Sequence, residues 1–306
     1  MNGYYNPYAS LDPNGHWIKT QLHIHAGTSS DRPGFGVEEI FKAYKKAGYT
    51  LLMNSPQKYW EDTSKFGEKV GISSINGNEY AVYDGILLCG TTELLKGSPQ
   101  EVINACLRKG GFSIVCHPNL KLPPDYPTLK KDDAFQLEGP IGVEIYNGCV
   151  LRSLPGDGLA TDFWDRLLSA GKVWWGFGSD DFHELHEMNV GWTEIYAKSD
   201  NFTDIKEACK KGRLYASTGL VLLDFQLNEN RLKITADHPY ERLCNVTYRF
   251  VGEGGALLGT DSGKTGKYTL SGNEKYVRAE CISPDGSMLW CQPILNTSFY
   301  TSFPDN

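Results

Sequence analysis

The sequence predicts an α/β domain followed by an antiparallel β-sandwich, and two observations carry the prediction. Residues 17–218 alternate short apolar runs with stretches whose apolar residues recur at helical spacing, the pattern of a parallel sheet or barrel with crossover helices. From about residue 220 this gives way to short alternating strands, such as 245–251 and 276–282, separated by turn signals at 228–230, 252–255 and 284–286. A chain of 306 residues exceeds what one hydrophobic core usually serves, so the boundary is placed near residue 219, giving units 1–219 and 220–306.

The first unit places Val37, Ile40, Phe41 and Tyr44 on one helix face, and Gly48 stops that helix before the apolar run Leu51, Leu52 and Met53. The next helix opens with Ser98, Pro99 and Glu101, which combine an N-cap, Pro at the first helical position and the acid of a capping box. It ends at Gly110 and Gly111, and the strand that follows, 112–116, delivers His117 and Pro118. A strand at 141–146 delivers Glu144 and Asn147. After a helix around 163–168, a strand at 172–177 delivers Ser179, Asp180, Asp181 and His183, and a last helix covers 204–211. Polar residues thus recur just past strand ends, where parallel α/β folds assemble a shared ligand site.

Composition narrows the function. With 40% hydrophobic and 22% charged residues the chain reads as an ordinary globular protein. A formal charge of -7 without a basic run argues against sequence-independent nucleic-acid binding. The first residues lack a basic and apolar leader, and no run approaches the ~18 apolar residues of a membrane span, so a cytoplasmic protein with no membrane association is expected. The eight cysteines are dispersed without a CxxC pair, and Cys89, Cys106, Cys116, Cys209 and Cys281 lie in apolar patterns where a thiol packs as a small hydrophobe.

The chemistry concentrates on Gln21, His23 and His25. In a strand these alternate residues share one face, while Ile18, Leu22 and Ile24 take the other. Two imidazoles on one face suit one metal ion, although an isolated His-x-His is as readily a pair of packed polar residues. Company decides between them: four of the seven histidines sit at strand ends of the same pattern, with Glu79, Asp181 and Asp31. Zinc, manganese or iron accept such mixed nitrogen and oxygen donors, and Glu79 is the candidate for a carboxylate bridging two ions.

On these residues the chain resembles the PHP (polymerase and histidinol phosphatase) metallo-phosphoesterases, most closely the subgroup with a C-terminal β-sandwich. The resembling segments are QLHIHAGTSSD from Gln21 to Asp31, GNEY around Glu79, His117-Pro118, GSDDFH from Gly178 to His183, GRLYASTG from Gly212 to Gly219, and YVRAE from Tyr276 to Glu280. The resemblance implies a distorted seven-stranded β/α barrel, TIM-like, with metal ions at the strand ends and hydrolysis of a small-molecule phosphate ester. It further implies one ion on His23, His25, Glu79 and Asp181, and a second on Glu79, His117 and a residue near Asn147 or Glu144.

One motif departs from the family. Where Thr-Asp-His is usual at the end of the second strand, this chain has Ser55, Pro56 and Gln57. A third ion on Asp31, His183 and the missing histidine is therefore expected to be weak or absent, leaving two divalent ions and hydrolysis by a metal-activated water. Asp181 and His183 are the candidate catalytic residues, His183 as the general acid if it is released from metal. Two other readings stay open, a degenerate member that binds metal or ligand without turnover and a binding module centred on the sandwich. His16, His186 and His238 read as surface histidines, Trp174, Trp175 and Phe177 as core, and Arg32, Lys58, Lys121 and Arg152 as solvated loop charges.

Overall fold

A computed structural model describes residues 3–27, 34–57, 59–80, 84–239 and 245–300. It is a mixed α/β structure in which helices with one apolar face cover short strands. Helix Val37–Lys46 buries Val37, Ile40, Phe41 and Tyr44, and helix Pro99–Arg108 starts at a Ser98 cap whose capping box with Glu101 is formed. Strands Ile86–Cys89 and Phe112–Val115 are buried along their whole length, as strands covered on each side require.

The strands that carry the polar ends fall into two hydrogen-bonded arcs. One runs Trp192–Ala197, His16–Gln21, Leu51–Leu52, Ser73–Ser74, parallel except at its first pair. The other runs Gly77–Glu79, Ile86–Cys89, Phe112–Val115, Gly142–Asn147, Trp175–Ser179, with Ile86–Cys89 antiparallel to both neighbours. The expected seven-stranded barrel does not appear as a closed ladder among the described residues. At one seam side chains substitute for strand pairing: Thr193 Oγ1 accepts from the Gly178 N–H and donates to its carbonyl, and the Gln292 amide does the same for Gly176. At the carboxyl ends main-chain bonds cross the seams, from His25 N to Phe182 O, Phe182 N to His23 O and Glu79 N to Ser55 O. The strands are too short for a full ladder, yet those bonds draw their ends together.

Beyond residue 219, strands Val221–Asn228, Arg231–Asp237 and Gly266–Thr269 form a three-stranded antiparallel sheet. Leu232, Ile234 and Ala236 alternate inward along its central strand and pack with Tyr248, Phe250, Ala279, Cys281 and Leu289 of the facing strands. Those facing strands continue the first arc, because Leu214–Ser217 pairs with Trp192–Ala197 on one side and Met288–Cys291 on the other. A buried charge cluster reinforces the contact. The Arg278 guanidinium donates to both Asp165 oxygens (2.8 and 2.7 Å) and to Glu280 (2.7 Å), and the Tyr276 hydroxyl donates to Asp165 at 2.8 Å. The seven described cysteines are buried, and no disulfide joins them. No helix among the described residues is long and apolar enough to cross a membrane.

Candidate metal centre

The strand ends bring His23, His25, Glu79, His117 and Asp181 into one buried cluster, all but His117 no more than 3% exposed. Glu79 stands between the histidines. Its Oε1 lies 2.9 Å from His117 Nε2, while its Oε2 lies 3.2 Å from His25 Nε2 and 3.4 Å from His23 Nε2. Asp181 Oδ1 faces the same two imidazoles, 3.1 Å from His23 Nε2 and 3.2 Å from His25 Nε2. Two donor groups result, one of His23, His25 and Asp181, the other of His23, Glu79, Cys116 and His117.

His117 and Asp181 adopt positive φ, +30° and +54°. Non-glycine residues are rarely held there, and such strain gathers at functional sites. In both cases a single residue separates it from a buried strand, Phe112–Val115 or Trp175–Ser179.

Behind the cluster a set of acceptors fixes the donors. Glu144 Oε1 accepts from His23 Nδ1 (2.8 Å) and Ser179 Oγ (2.6 Å), and its Oε2 accepts from the His117 N–H and Asn147 Nδ2 (2.9 Å each). With four donors accepted, Glu144 orients the His23 ring and the turn at His117. Asn147 is committed too: its amide N–H groups reach Glu144 and Asp181, and its Oδ1 accepts from Val150 N. Of the adjacent aspartates, Asp180 is the anchor, accepting from the Tyr44 hydroxyl and from the N–H groups of Asn189, Val190 and Gly191; burial still pushes it up to about 6.

His183 joins the edge of the cluster, its ring stacked on His25 with centroids 4.3 Å apart. Its Nδ1 lies 2.8 Å from the Asp181 carbonyl, which assigns the proton to Nδ1, and its own N–H donates to Glu187. Asp31 lies outside the described residues. His186 is exposed and Trp174, Trp175 and Phe177 are core, as expected.

The electrostatics fit a cation. Burial works to raise Glu79 and Asp181, but His23, His117 and His25 hold Glu79 well below the carboxylate range, and His23 and His25 do the same for Asp181. Burial works to depress the imidazoles, but the carboxylates win: His25 is raised to about 9 by Asp181 and Glu79, His117 to about 10 by Glu79 and Asp84, and His23 well above its usual value by Asp181, Glu144 and Glu79. His183 goes the other way, lowered by burial and by His25. His25 Nε2 and Asp181 Oδ1 are fully buried and lack a hydrogen-bond partner of good geometry although 3.2 Å apart. Orphaned polar atoms are rare in native interiors, and two that converge without sharing a proton suit donors to one divalent ion.

Sequence reasoning missed Asp84, which enters the site from a loop, and the contacts of Gln57. The Gln57 Nε2 donates to Glu79 Oε2 (2.9 Å) and Asp84 Oδ1 (3.1 Å). Asp84 is raised to about 8 by burial and by Glu79. No periodic pattern marks it in the sequence.

No family model and no curated protein matches the chain. Its fold is similar to the crystal structure, at 2.20 Å resolution, of a two-domain protein containing a predicted PHP-like metal-dependent phosphoesterase from Bacteroides vulgatus ATCC 8482. The likeness covers 95% of this chain and 99% of that one with a TM-score of 0.54 and 14% sequence identity. At that identity the chain shares the architecture of that protein, and any shared chemistry has to be argued from the site itself.

Proposed function

We propose that the chain is a metal-dependent hydrolase of the PHP kind acting on a phosphate ester of a small molecule. Residues 1–219 form the hydrolase unit, an incompletely closed barrel, and residues 220–306 a β-sandwich that supports it. The observation that carries the reading is Glu79, whose two oxygens face different imidazoles, the arrangement of a carboxylate bridging two ions.

In this reading His23, His25, Asp181 and Glu79 hold one ion, and Glu79 and His117 contribute to a second. Bound divalent ions supply Lewis-acid polarisation and a nucleophilic water at neutral pH. The protein's own part is orientation and proton handling. Glu144 fixes the His23 ring through Nδ1 and the turn at His117 through its N–H, leaving Nε2 of His23 facing the cluster. His183, kept neutral at pH 7 with its proton on Nδ1, takes up a proton at Nε2, so it serves as an acceptor before it serves as an acid.

Gln57 favours a second reading. Its amide already donates to one edge of Glu79, which suits a protein that binds ions or a phosphorylated ligand without turnover. The experiment that separates the readings measures metal per chain by plasma mass spectrometry, then screens phosphate mono- and diesters. About two equivalents with hydrolysis, both lost in a His23→Ala, His117→Ala variant, is the expected result. Two equivalents without hydrolysis of any ester would leave the binding protein, and no metal after reconstitution would refute the hydrolase and leave only a protein that binds a ligand without metal.

A further inference from the structure

We propose that Asp84 is a ligand of the second ion, beside Glu79 and His117, and that the Gln57 side chain positions it there. The proposal rests on the two-ion reading above and supplies the donor that reading lacks.

With His23 given to the first ion, Glu79 and His117 leave a second ion two donors besides the Cys116 thiol. The other polar residues nearby are committed: Glu144 to four donors, and Asn147 to Glu144, Asp181 and Val150 N. Asp84 is not committed in that way. Its Oδ1 lies 3.7 Å from His117 Nε2, against 2.9 Å between His117 Nε2 and Glu79 Oε1. Donors held ~2.0–2.2 Å from one ion stand about 3 to 3.6 Å apart, so His117 lies within about that distance of both carboxylates.

The chain invests in holding Asp84 at that place. Its N–H donates to Pro127 O, and its carbonyl accepts from Leu129 N (2.8 Å) and Thr128 Oγ1 (3.1 Å). The next residue, Gly85, has φ +132°, a conformation side chains seldom tolerate, and its carbonyl accepts from Cys116 N at 3.0 Å. Asp84 is thereby tied to the strand end that delivers His117. Gln57 closes the arrangement, because an amide NH2 carries two donors and here spends one on Glu79 and one on Asp84. Two buried carboxylates brought together this way need a shared proton or a cation between them, and an ion at this position would take the place of the proton.

Cys116 is the rival donor, since its thiol donates to Glu79 Oε1 at 3.3 Å. The test therefore titrates Co2+ into chelator-stripped full-length protein, reading stoichiometry and the visible and near-ultraviolet spectrum. Wild type should take two equivalents. Asp84→Asn should keep the first and weaken the second by more than about 100-fold, and Gln57→Ala, which removes a second-sphere contact, should weaken it about 10- to 100-fold with the first unchanged. Two equivalents of unchanged affinity in Asp84→Asn would overturn the assignment, as would a thiolate-to-cobalt band that Cys116→Ala abolishes while Asp84→Asn leaves the second ion in place. Should Asp84→Asn fail to fold by circular dichroism, Gln57→Ala decides, and an unchanged second affinity there overturns the proposal. Wild type that binds fewer than two equivalents would instead refute the two-ion reading on which it stands.

Discussion

Metal binding to this cluster should be strongly coupled to proton release. In the metal-free site His25 is raised to about 9 and His117 to about 10, with His23 well above its usual value, so all three imidazoles carry protons at pH 7 while Glu79, Glu144 and Asp181 stay ionised. A metal needs the Nε2 lone pair, so each imidazole that binds must first lose its charge. At pH 7 that competition weakens the apparent affinity by roughly 100-fold through His25 and roughly 1,000-fold through His117. The sign follows directly: affinity rises with pH and levels off only above the folded-state values. The first ion, on His23 and His25, exchanges about two protons for two positive charges, so the pocket's net charge is preserved. Its dissociation constant, measured by chelator competition, should fall about 100-fold per pH unit between about pH 6 and pH 8, and calorimetry in buffers of different ionisation enthalpy should count about two protons. An affinity independent of pH would refute the reasoning, because it would mean that carboxylates alone hold the ion or that the imidazoles are already neutral.

Three further outcomes follow. The metal-free protein should lose stability as pH climbs, since groups with raised folded values contribute fully below about 6.5 and lose that contribution through about 9 for His25 and about 10 for His117; its melting temperature should drop by several degrees in that window while the metal-loaded form stays level. Glu144→Gln places an amide N–H group against donors that now share a carboxylate, and should weaken metal affinity about 10- to 100-fold by the same chelator competition, without removing a ligand. Asp165→Ala should cost about 3 kcal/mol in urea unfolding, the low end for breaking a buried pair because Glu280 still faces Arg278, and an added Arg278→Met should recover most of it; a loss under about 1 kcal/mol would show that the cluster is not structural.

Which parts of this were legible in the sequence follows from the range over which each residue acts. His23 and His25 could be read because a strand's two-residue period puts them on one face, and His117 and Asp181 because each follows an apolar run that had to be a buried strand. Glu144 was visible as a polar residue in an apolar strand, but nothing local distinguishes an ion's ligand from an acceptor of four hydrogen bonds. Asp84 was not visible at all, since what places it is a return of the chain between residues 84 and 129 and an amide 27 positions earlier. Thr193 and Gln292, which bridge the seam where the ladder fails, act across 15 and 116 positions. The same separation governs Arg278 and Asp165, 113 positions apart. Gln57 shows the consequence for function. Read along the chain it stands where a ligand was expected, and read in space it is a donor to two carboxylates, so the second-ion affinity of Gln57→Ala is the quantity that distinguishes a rebuilt site from a decayed one.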